Sequence, residues 1–309
     1  MNRAALVDHA RESIARGSRS FAAASHLFDR ETRERAWLLY AWCRVCDDIA
    51  DGQDHGGAMT ETVDPLVRLD DIEQRTERAL AGEAEDDPGF AALTQVMGEV
   101  ALPYRYVEDL ITGFALDAEG WRPETQNDLL AYCYHVAGAV GCMMAIVMGV
   151  APDDEETLDR ACDLGIAFQL ANIARDIGED AAGGRCYLPR LWLAEQSIDP
   201  DDLMAPRSRP ALALLAGRLA DQASRYEKSA RAGTPALSFR SAWAVLAAAG
   251  IYGDIARKVK AAGESALTSR QFTSSAEKYG WLARAAWQAA RRETFRAAQR
   301  DPGLWSRPR

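Results

Sequence analysis

Apolar residues recur every three to four positions along most of the chain, which is the spacing of amphipathic α-helices. Acidic, glycine-rich and proline-rich stretches interrupt this pattern, as in DGQDHGG at 51–57 and AAGGRC at 181–186. No segment alternates apolar and polar residues as a half-buried strand does. The sequence therefore predicts an all-α fold. The predicted helices span residues 3–16, 31–51, 64–82, 89–101, 104–117, 125–149, 155–181, 209–232, 238–262 and 273–299.

The predicted helix at 31–51 carries a polar stripe inside an otherwise apolar sequence, RERAWLLYAWCRVCDDIAD. Asp47 and Asp51 are four residues apart and therefore share one face of the helix. Tyr40 and Arg44 extend the same face toward the N-terminus. Because an unpaired buried carboxylate is costly, we expect this stripe to face a wet cavity.

A second acidic stripe lies in the predicted helix at 155–181. Asp176 and Asp180 repeat the D-x-x-x-D spacing, and Gln169 and Asn172 precede them on the same face. Either D-x-x-x-D motif alone could be a helix end whose acidic side chains are solvated. This explanation fits two motifs poorly, because each lies in an apolar helix and is preceded by polar residues on the same face.

If the two stripes face each other, they form a cage suited to Mg²⁺. This ion prefers oxygen ligands and combines one or two carboxylates with water and substrate phosphates. Arg44 and Arg175 lie beside the carboxylates, and guanidinium groups can bind phosphate oxygens in a bidentate manner. The spacing excludes a calcium-binding loop of the D-x-D-x-D-G type.

Composition narrows the class of protein further. The formal charge of −10 argues against a nucleic-acid partner, and 48% hydrophobic residues allow a large core. Six cysteines are scattered mostly in apolar helical context, which favours buried thiols, a reducing compartment and a cytoplasmic protein. The N-terminus is amphipathic and unlike a signal peptide. The longest apolar stretch, VAGAVGCMMAIVMGVA, is shorter than the ~20 residues that span a bilayer and predicts a core helix.

Three ordered stretches resemble a known family. They are YAWCRVCDDIAD (40–51), YCYHVAGAVG (132–141) and FQLANIARDIGEDAAGGRCYLP (168–189). The chain resembles the squalene/phytoene synthase family from GSRSF at 17–21 to SRQFTSSAEK at 269–278, most closely its bacterial phytoene-forming branch. The resemblance implies a single-domain helical bundle of the isoprenoid synthase type around a central cavity. We place this domain at 1–299 and a C-terminal tail at 300–309.

The resemblance also implies individual roles. The metal, Mg²⁺ or Mn²⁺, would be held by five residues: Asp47, Asp51, Asn172, Asp176 and Asp180. The substrate would be bound by Ser18, Ser20, Phe21, Tyr40, Arg44, Gln169, Arg175 and Tyr252. Tyr132 matches a tyrosine next to the reacting carbons, and Arg44 and Arg175 would stabilise leaving-group charge. Relatives often carry a C-terminal arginine near a diphosphate, where this chain has SSAEKYG with Lys278.

The implied reaction joins two molecules of geranylgeranyl diphosphate head to head. A metal-bound diphosphate leaves, and the second substrate attacks the allylic cation to give a cyclopropyl diphosphate. That intermediate loses its diphosphate and a proton and becomes phytoene. Two alternatives stay open: a C15-using synthase that makes dehydrosqualene or presqualene diphosphate, and a non-catalytic scaffold of the same fold. A one-substrate terpene cyclase fits the NIARDIGED context poorly.

The C-terminal part reverses the acidic charge of the chain. From Trp281 onward it contains seven arginines against two acidic residues. A basic helix with Trp and Phe can lie on an anionic membrane surface, and a solvated final helix is the equal alternative. Because substrate and product both partition into lipid, peripheral contact with an anionic membrane surface is one expectation for this protein.

Overall fold

The computed structural model describes residues 1–52, 63–83 and 85–309, without the side chains of Arg19 and Ser20. Within these ranges the chain is helical and contains no strand, which confirms the all-α prediction. The α-helices are α1 (Arg3–Gly17), α2 (Arg19–Ser25), α3 (Arg30–Asp51), α4 (Pro65–Leu80), α5 (Pro88–Glu99), α6 (Tyr104–Ala118), α7 (Gln126–Cys133), α8 (Ala139–Val147), α9 (Glu155–Ala182), α10 (Arg190–Glu195), α11 (Arg209–Arg231), α12 (Phe239–Ala262) and α13 (Ser275–Ala290).

Local capping chemistry fixes the ends of the two acidic helices. The Asp29 carboxylate accepts the Thr32 N–H at the start of α3, and Gly52 ends α3 with φ of 63°. That left-handed conformation is readily adopted by glycine. The Asp154 carboxylate accepts the Thr157 N–H at the start of α9. Both helices therefore have nearly the predicted bounds.

The helix predicted at 125–149 contains a π-helical turn, Tyr134–Gly138, between α7 and α8. The turn is anchored on α6, because the Tyr134 hydroxyl donates to the Asp109 carboxylate and His135 Nδ1 lies 3.0 Å from the Asp109 carbonyl oxygen. Gly113 allows the close approach, since a Cβ there would lie 2.7 Å from Val136 Cγ1. The hydrogen bonds of a π-helical turn span one residue more than those of an α-helix. Hydrophobic periodicity in the sequence does not predict this local change.

The helix predicted at 273–299 is wrong in its last part. α13 ends at Ala290, and a 3₁₀ turn at Arg292–Phe295 follows. The segment 300–309 then packs back on the fold. Arg300 Nη2 lies 2.8 Å from the buried Asp163 carboxylate, and the buried Arg307 Nε lies 2.9 Å from Asp159. These arginines find carboxylates inside the fold, so they do not continue a solvated helix.

α9 lies at the centre and packs against α8, α11 and α12. Two glycines bring its backbone against the preceding segment: a Cβ on Gly165 would lie 2.2 Å from the Ala137 carbonyl oxygen, and one on Gly141 2.4 Å from the Ala161 carbonyl oxygen. The run Gln126–Val147 is long and apolar enough to cross a membrane, but 61% of its apolar window is buried inside the fold. It is therefore positioned as a core helix, as predicted.

Candidate active site

A cavity of about 1040 Å³ runs along α9 and is also lined by residues of α2, α3, α4, α6, α8 and α12. Most of its wall is apolar. The structure brings nearly all the predicted site residues to this one cavity, and the side chain of Ser20 lies outside the described part. The lining includes Ser18, Phe21, Tyr40, Arg44, Asp47, Asp51, Tyr132, Gln169, Asn172, Arg175, Asp176, Asp180 and Tyr252.

The α3 stripe is held by its own arginine. Arg44 Nη1 lies 2.9 Å from Asp47 Oδ2, and Arg44 also pairs with Asp48, which lies off the stripe. Tyr40 packs edge-to-face on Phe21 with ring centroids 5.6 Å apart. A guanidinium fixed in this way at the cavity wall can offer its remaining N–H groups to an anion.

The α9 stripe has a similar arrangement. Arg175 Nε donates to Asp176 Oδ1 at 2.7 Å. About two turns earlier on α9, Phe168 stacks on Tyr252 with ring centroids 4.3 Å apart and an interplanar angle of 24°. The polar stripe therefore borders directly on an aromatic wall.

Two arginines that the sequence analysis did not assign also reach the acidic residues. Arg185 Nη1 lies 3.4 Å from Asp51 Oδ1, and Arg270 Nη2 lies 3.5 Å from Asp176 Oδ1. Arg270 is thus a C-terminal arginine beside an acidic residue of the cavity wall. Arg185 lies inside the quoted GRCYLP stretch, which was the available signal for it. Arg270 lies inside the quoted SRQFTSSAEK stretch, but no helical spacing there links it to the acidic residues.

Asp117 is a further site residue that the sequence analysis missed. The hydroxyls of Tyr132 and Tyr187 both donate to its carboxylate, at 2.9 Å and 3.0 Å. The Tyr132 ring is stacked between Trp121 and Tyr187, with centroids 5.7 Å and 5.0 Å away. Burial and the neighbouring Asp117 carboxylate raise the pKa of Tyr132 well above its usual value. Tyr132 is therefore a protonated phenol in a fixed orientation.

The acidic end of the cavity has an excess of negative charge. Burial, with added repulsion from Asp51, raises the pKa of Asp47 to about 6 despite Arg44. Its side chain lines the cavity and is 49% exposed there. Burial and the neighbouring Asp176 raise the pKa of Asp180 to about 6. Carboxylates in this state favour a cation between them.

The donor set fits a hard divalent cation. Across the described ranges, no group of three or more His, Cys, Asp or Glu residues could hold a metal by itself. The cavity instead offers one pair of carboxylates from α3 and one pair with an amide from α9. Mg²⁺ and similar ions accept such a partial set when water and phosphate oxygens complete the coordination.

A family model described as squalene/phytoene synthase matches residues 14–278. The chain belongs to the squalene/phytoene synthase family. A phytoene synthase of Pseudescherichia vulneris is 47% identical, and a 15-cis-phytoene synthase of Pantoea ananas is 45% identical. Each alignment covers 100% of both chains.

Solved structures support the same assignment at the level of the fold. A dehydrosqualene synthase in complex with ligand superposes with a TM-score of 0.80 at 26% identity, over 94% of this chain and 98% of its own. A squalene synthase from Alicyclobacillus acidocaldarius superposes with a TM-score of 0.67 at 25% identity, over 85% of this chain and 92% of its own. The helical fold of squalene/phytoene synthase family members is therefore confirmed for this chain.

Proposed function

We propose that this protein condenses two molecules of geranylgeranyl diphosphate head to head, through a cyclopropyl diphosphate, and releases phytoene and two diphosphates. The observation that carries the proposal is a single cavity with an acidic, arginine-rich end and a long apolar body. The relatives that cover the whole chain are named as phytoene synthases, which favours C20 over C15 substrates. A prenyl-transferring enzyme is the function that this geometry serves.

We assign Asp47, Asp51, Asn172, Asp176 and Asp180 to bind Mg²⁺ or Mn²⁺. When bound, such an ion neutralises the charge that develops on a departing diphosphate. The carboxylates of α3 and α9 face the same cavity, so each pair can serve one of two diphosphates. Their raised pKa values support a role in which cations accompany the substrate.

Four arginines supply positive charge for the diphosphates. Arg44 and Arg175 line the cavity beside the acidic pairs, and Arg185 and Arg270 approach Asp51 and Asp176 from the other elements. Guanidinium groups that are already oriented by carboxylates need little reorganisation as the leaving group forms. We assign Ser18, Ser20, Tyr40 and Gln169 to the same diphosphate sites.

The apolar body of the cavity protects the cationic intermediates from water. We assign Tyr132 to the reacting carbons, where an aromatic face can stabilise a cation. Its hydrogen bond to Asp117 and its stacking prevent it from rotating away. Phe21 and Tyr252 extend the aromatic lining beside the two diphosphate sites.

We also propose a cytoplasmic protein with peripheral contact at an anionic membrane surface. The six cysteines are free, five of them buried, as expected in a reducing compartment. Arg300 and Arg307 are engaged in internal ion pairs and do not serve this contact. The better candidate is α13, where Trp287 is 58% exposed beneath the Arg291 guanidinium.

The proposal is tested with purified protein, Mg²⁺ and detergent, without NADPH. One sample receives geranylgeranyl diphosphate and the other receives farnesyl diphosphate. We expect a C40 hydrocarbon from the first sample. A C30 product from the second sample alone would indicate a C15-using synthase. No product from either sample would favour the non-catalytic scaffold.

A further inference from the structure

The cavity has two ends of different chemistry. The carboxylates and arginines lie near the C-terminal end of α9, whereas Thr157 and Arg160 line the cavity near the start of the same helix. Between the two ends, α9 lines the cavity with Ala161, Leu164 and Phe168. A prenyl tail whose diphosphate lies at the acidic end would therefore extend along α9 toward Arg160.

Arg160 forms a rigid wall at the far end. Arg160 is 3% exposed, and hydrogen bonds fix its guanidinium. Nη1 donates to the Ser229 hydroxyl at 2.9 Å and to the Ser229 carbonyl at 3.4 Å, and Nη2 donates to the Ala298 carbonyl at 2.6 Å. Gly233 packs against the stem of this side chain, since a Cβ there would lie 2.7 Å from Arg160 Cβ.

The polar guanidinium of Arg160 also disfavours the extension of a hydrocarbon chain past this wall. Arg160 Nε is buried and, among the residues described, has no hydrogen-bond partner. A hydrocarbon chain that extended past this point would have to displace a guanidinium from its partners in the wall. Leaving buried polar groups without partners is costly. Along α9 the cavity lining begins at Thr157 and Arg160, so this first turn of the helix sets the depth of the cavity.

This depth corresponds to one tail length. Asp176 and Arg160 are sixteen residues apart on α9, which corresponds to about 24 Å along the helix axis. The main chain of a geranylgeranyl group has sixteen carbons and that of a farnesyl group has twelve. In an extended zigzag chain each C–C bond of ~1.5 Å advances about 1.25 Å, so the two main chains span about 19 Å and about 14 Å. The diphosphate occupies the remaining few ångströms, so a C20 tail ends beside Arg160 and a C15 tail ends near Leu164.

We propose that Arg160, with Gly233 against its stem, is the specificity-determining wall that limits the prenyl tail to twenty carbons. The inference rests on the proposed function, because it takes the acidic end as the diphosphate site. It assigns the selection of tail length to Arg160, a residue far from the reacting atoms.

The first test fills the end of the cavity. Ala161→Phe adds a ring one position from Arg160, beyond the reach of a C15 tail. We expect the ratio of kcat/KM for geranylgeranyl diphosphate to that for farnesyl diphosphate to fall about tenfold or more. Glu156→Phe is the matched control, because Glu156 is exposed on the same part of α9 and lies outside the cavity lining. An unchanged ratio in a folded Ala161→Phe protein would overturn the inference.

The second test opens the wall, in case the first variant does not fold. Arg160→Ala removes the guanidinium and most of the stem, while Arg300 stays paired with Asp163. We expect the rate with a C25 diphosphate, relative to the C20 substrate, to rise at least several-fold, and to rise less in Arg160→Lys. The same relative rate in Arg160→Ala and wild type would contradict the proposed wall.

The two proposals fail in different ways. If the wild-type protein makes no product from any of the three diphosphates, the proposed function is wrong and the wall is refuted with it. If the wild type makes a C40 product but neither variant changes the length preference, only the inference about Arg160 is wrong.

Discussion

At the scale of single residues, the acidic end of the cavity depends on carboxylates whose partners are arginines. Asp47 pairs with Arg44 and Asp176 with Arg175, and each pair lies on the wall of the same cavity. Removing a carboxylate therefore removes an expected metal ligand and frees an arginine that would otherwise be oriented. The core is hardly affected, because these groups line a cavity.

We expect Asp176→Asn to lower kcat with geranylgeranyl diphosphate by about 100-fold or more. The amide keeps the size of the side chain and loses the charge that attracts a divalent cation. Product formation and circular dichroism are measured together, with Glu156→Gln on the exposed side of α9 as the control. A folded Asp176→Asn protein with full activity would refute the assigned metal site.

Asp117 offers a second residue-scale prediction, because it fixes Tyr132 and Tyr187 through their hydroxyls. Asp117→Asn should lower kcat by about 100-fold, since a small displacement of a group beside the reacting atoms has this order of effect. KM should change far less, because the diphosphate sites are untouched. If KM rises while kcat is kept, Asp117 serves binding and does not position Tyr132. Tyr187→Phe removes one of the two hydrogen bonds and should have an intermediate effect.

The sequence predicts the four aspartates because helical spacing alone places i and i+4 on one face. It does not predict Asp117, which shares α6 and its ends with Glu108, Asp109 and Glu119. Only the packing of Tyr132 and Tyr187 on α6 selects Asp117 among these acids. Tertiary contacts of this kind have no signal within a single stretch of sequence.

At the scale of elements, the C-terminal segment is the part that departs most from expectation. Arginine-rich sequence with Trp and Phe predicts a helix at the surface, but α13 ends at Ala290 and Arg300 reaches the buried Asp163. Asp163 also accepts from the Ser229 hydroxyl, so it belongs to a buried hydrogen-bonded network. The segment therefore contributes to the stability of α9 and α11.

We expect Arg300→Met to lower the free energy of unfolding by about 3 kcal/mol, because it leaves the buried Asp163 carboxylate without the positive charge of Arg300. The free energy of unfolding is measured by chemical denaturation. Arg296→Met is the control, since Arg296 pairs at the surface with the exposed Glu293. Equal stability of the two variants would contradict the structural role of the C-terminal segment.

The helices themselves are well predicted because capping residues and periodicity are local. Asp29, Gly52 and Asp154 set the ends of α3 and α9 where the sequence indicates them. The π-helical turn at Tyr134–Gly138 depends on contacts of two side chains with Asp109 on another helix. Hydrophobic periodicity therefore predicts the helical segment at 125–149 but not the π-helical turn inside it.

At the scale of the whole molecule, ion pairs join helices that are distant in sequence. Glu99 accepts from Arg3 Nε at 2.6 Å and from Arg35 Nε at 3.1 Å, which links α5 to α1 and α3. Burial alone would raise the pKa of Glu99, but hydrogen bonds from Arg3, Gln95 and Arg35 outweigh it and lower this pKa to about 2.

A lowered pKa in the folded state contributes stability above the unfolded value of 4.5, and this contribution is lost as the pH falls toward 2. We expect the free energy of unfolding to decline over that window. Glu99→Gln should be less stable at neutral pH and should show a shallower decline. Parallel pH profiles for wild type and variant would contradict this role of Glu99.

The all-α architecture follows from periodicity, and the central cavity with two acidic stripes on its wall follows from the resemblance together with the i, i+4 spacing. The depth of the cavity follows from neither, because Arg160 and Gly233 meet only in the folded chain. Length selection is thus a property of the whole molecule.

A head-to-head condensation releases two diphosphates for each hydrocarbon formed. The most direct measurement is the amount of diphosphate released per C40 hydrocarbon from geranylgeranyl diphosphate, with Mg²⁺ present and after its removal by a chelator. We predict a ratio of two with Mg²⁺ and no product without it. A ratio of one with a C20 hydrocarbon would indicate a one-substrate cyclase, and no release under either condition would contradict the proposed condensation.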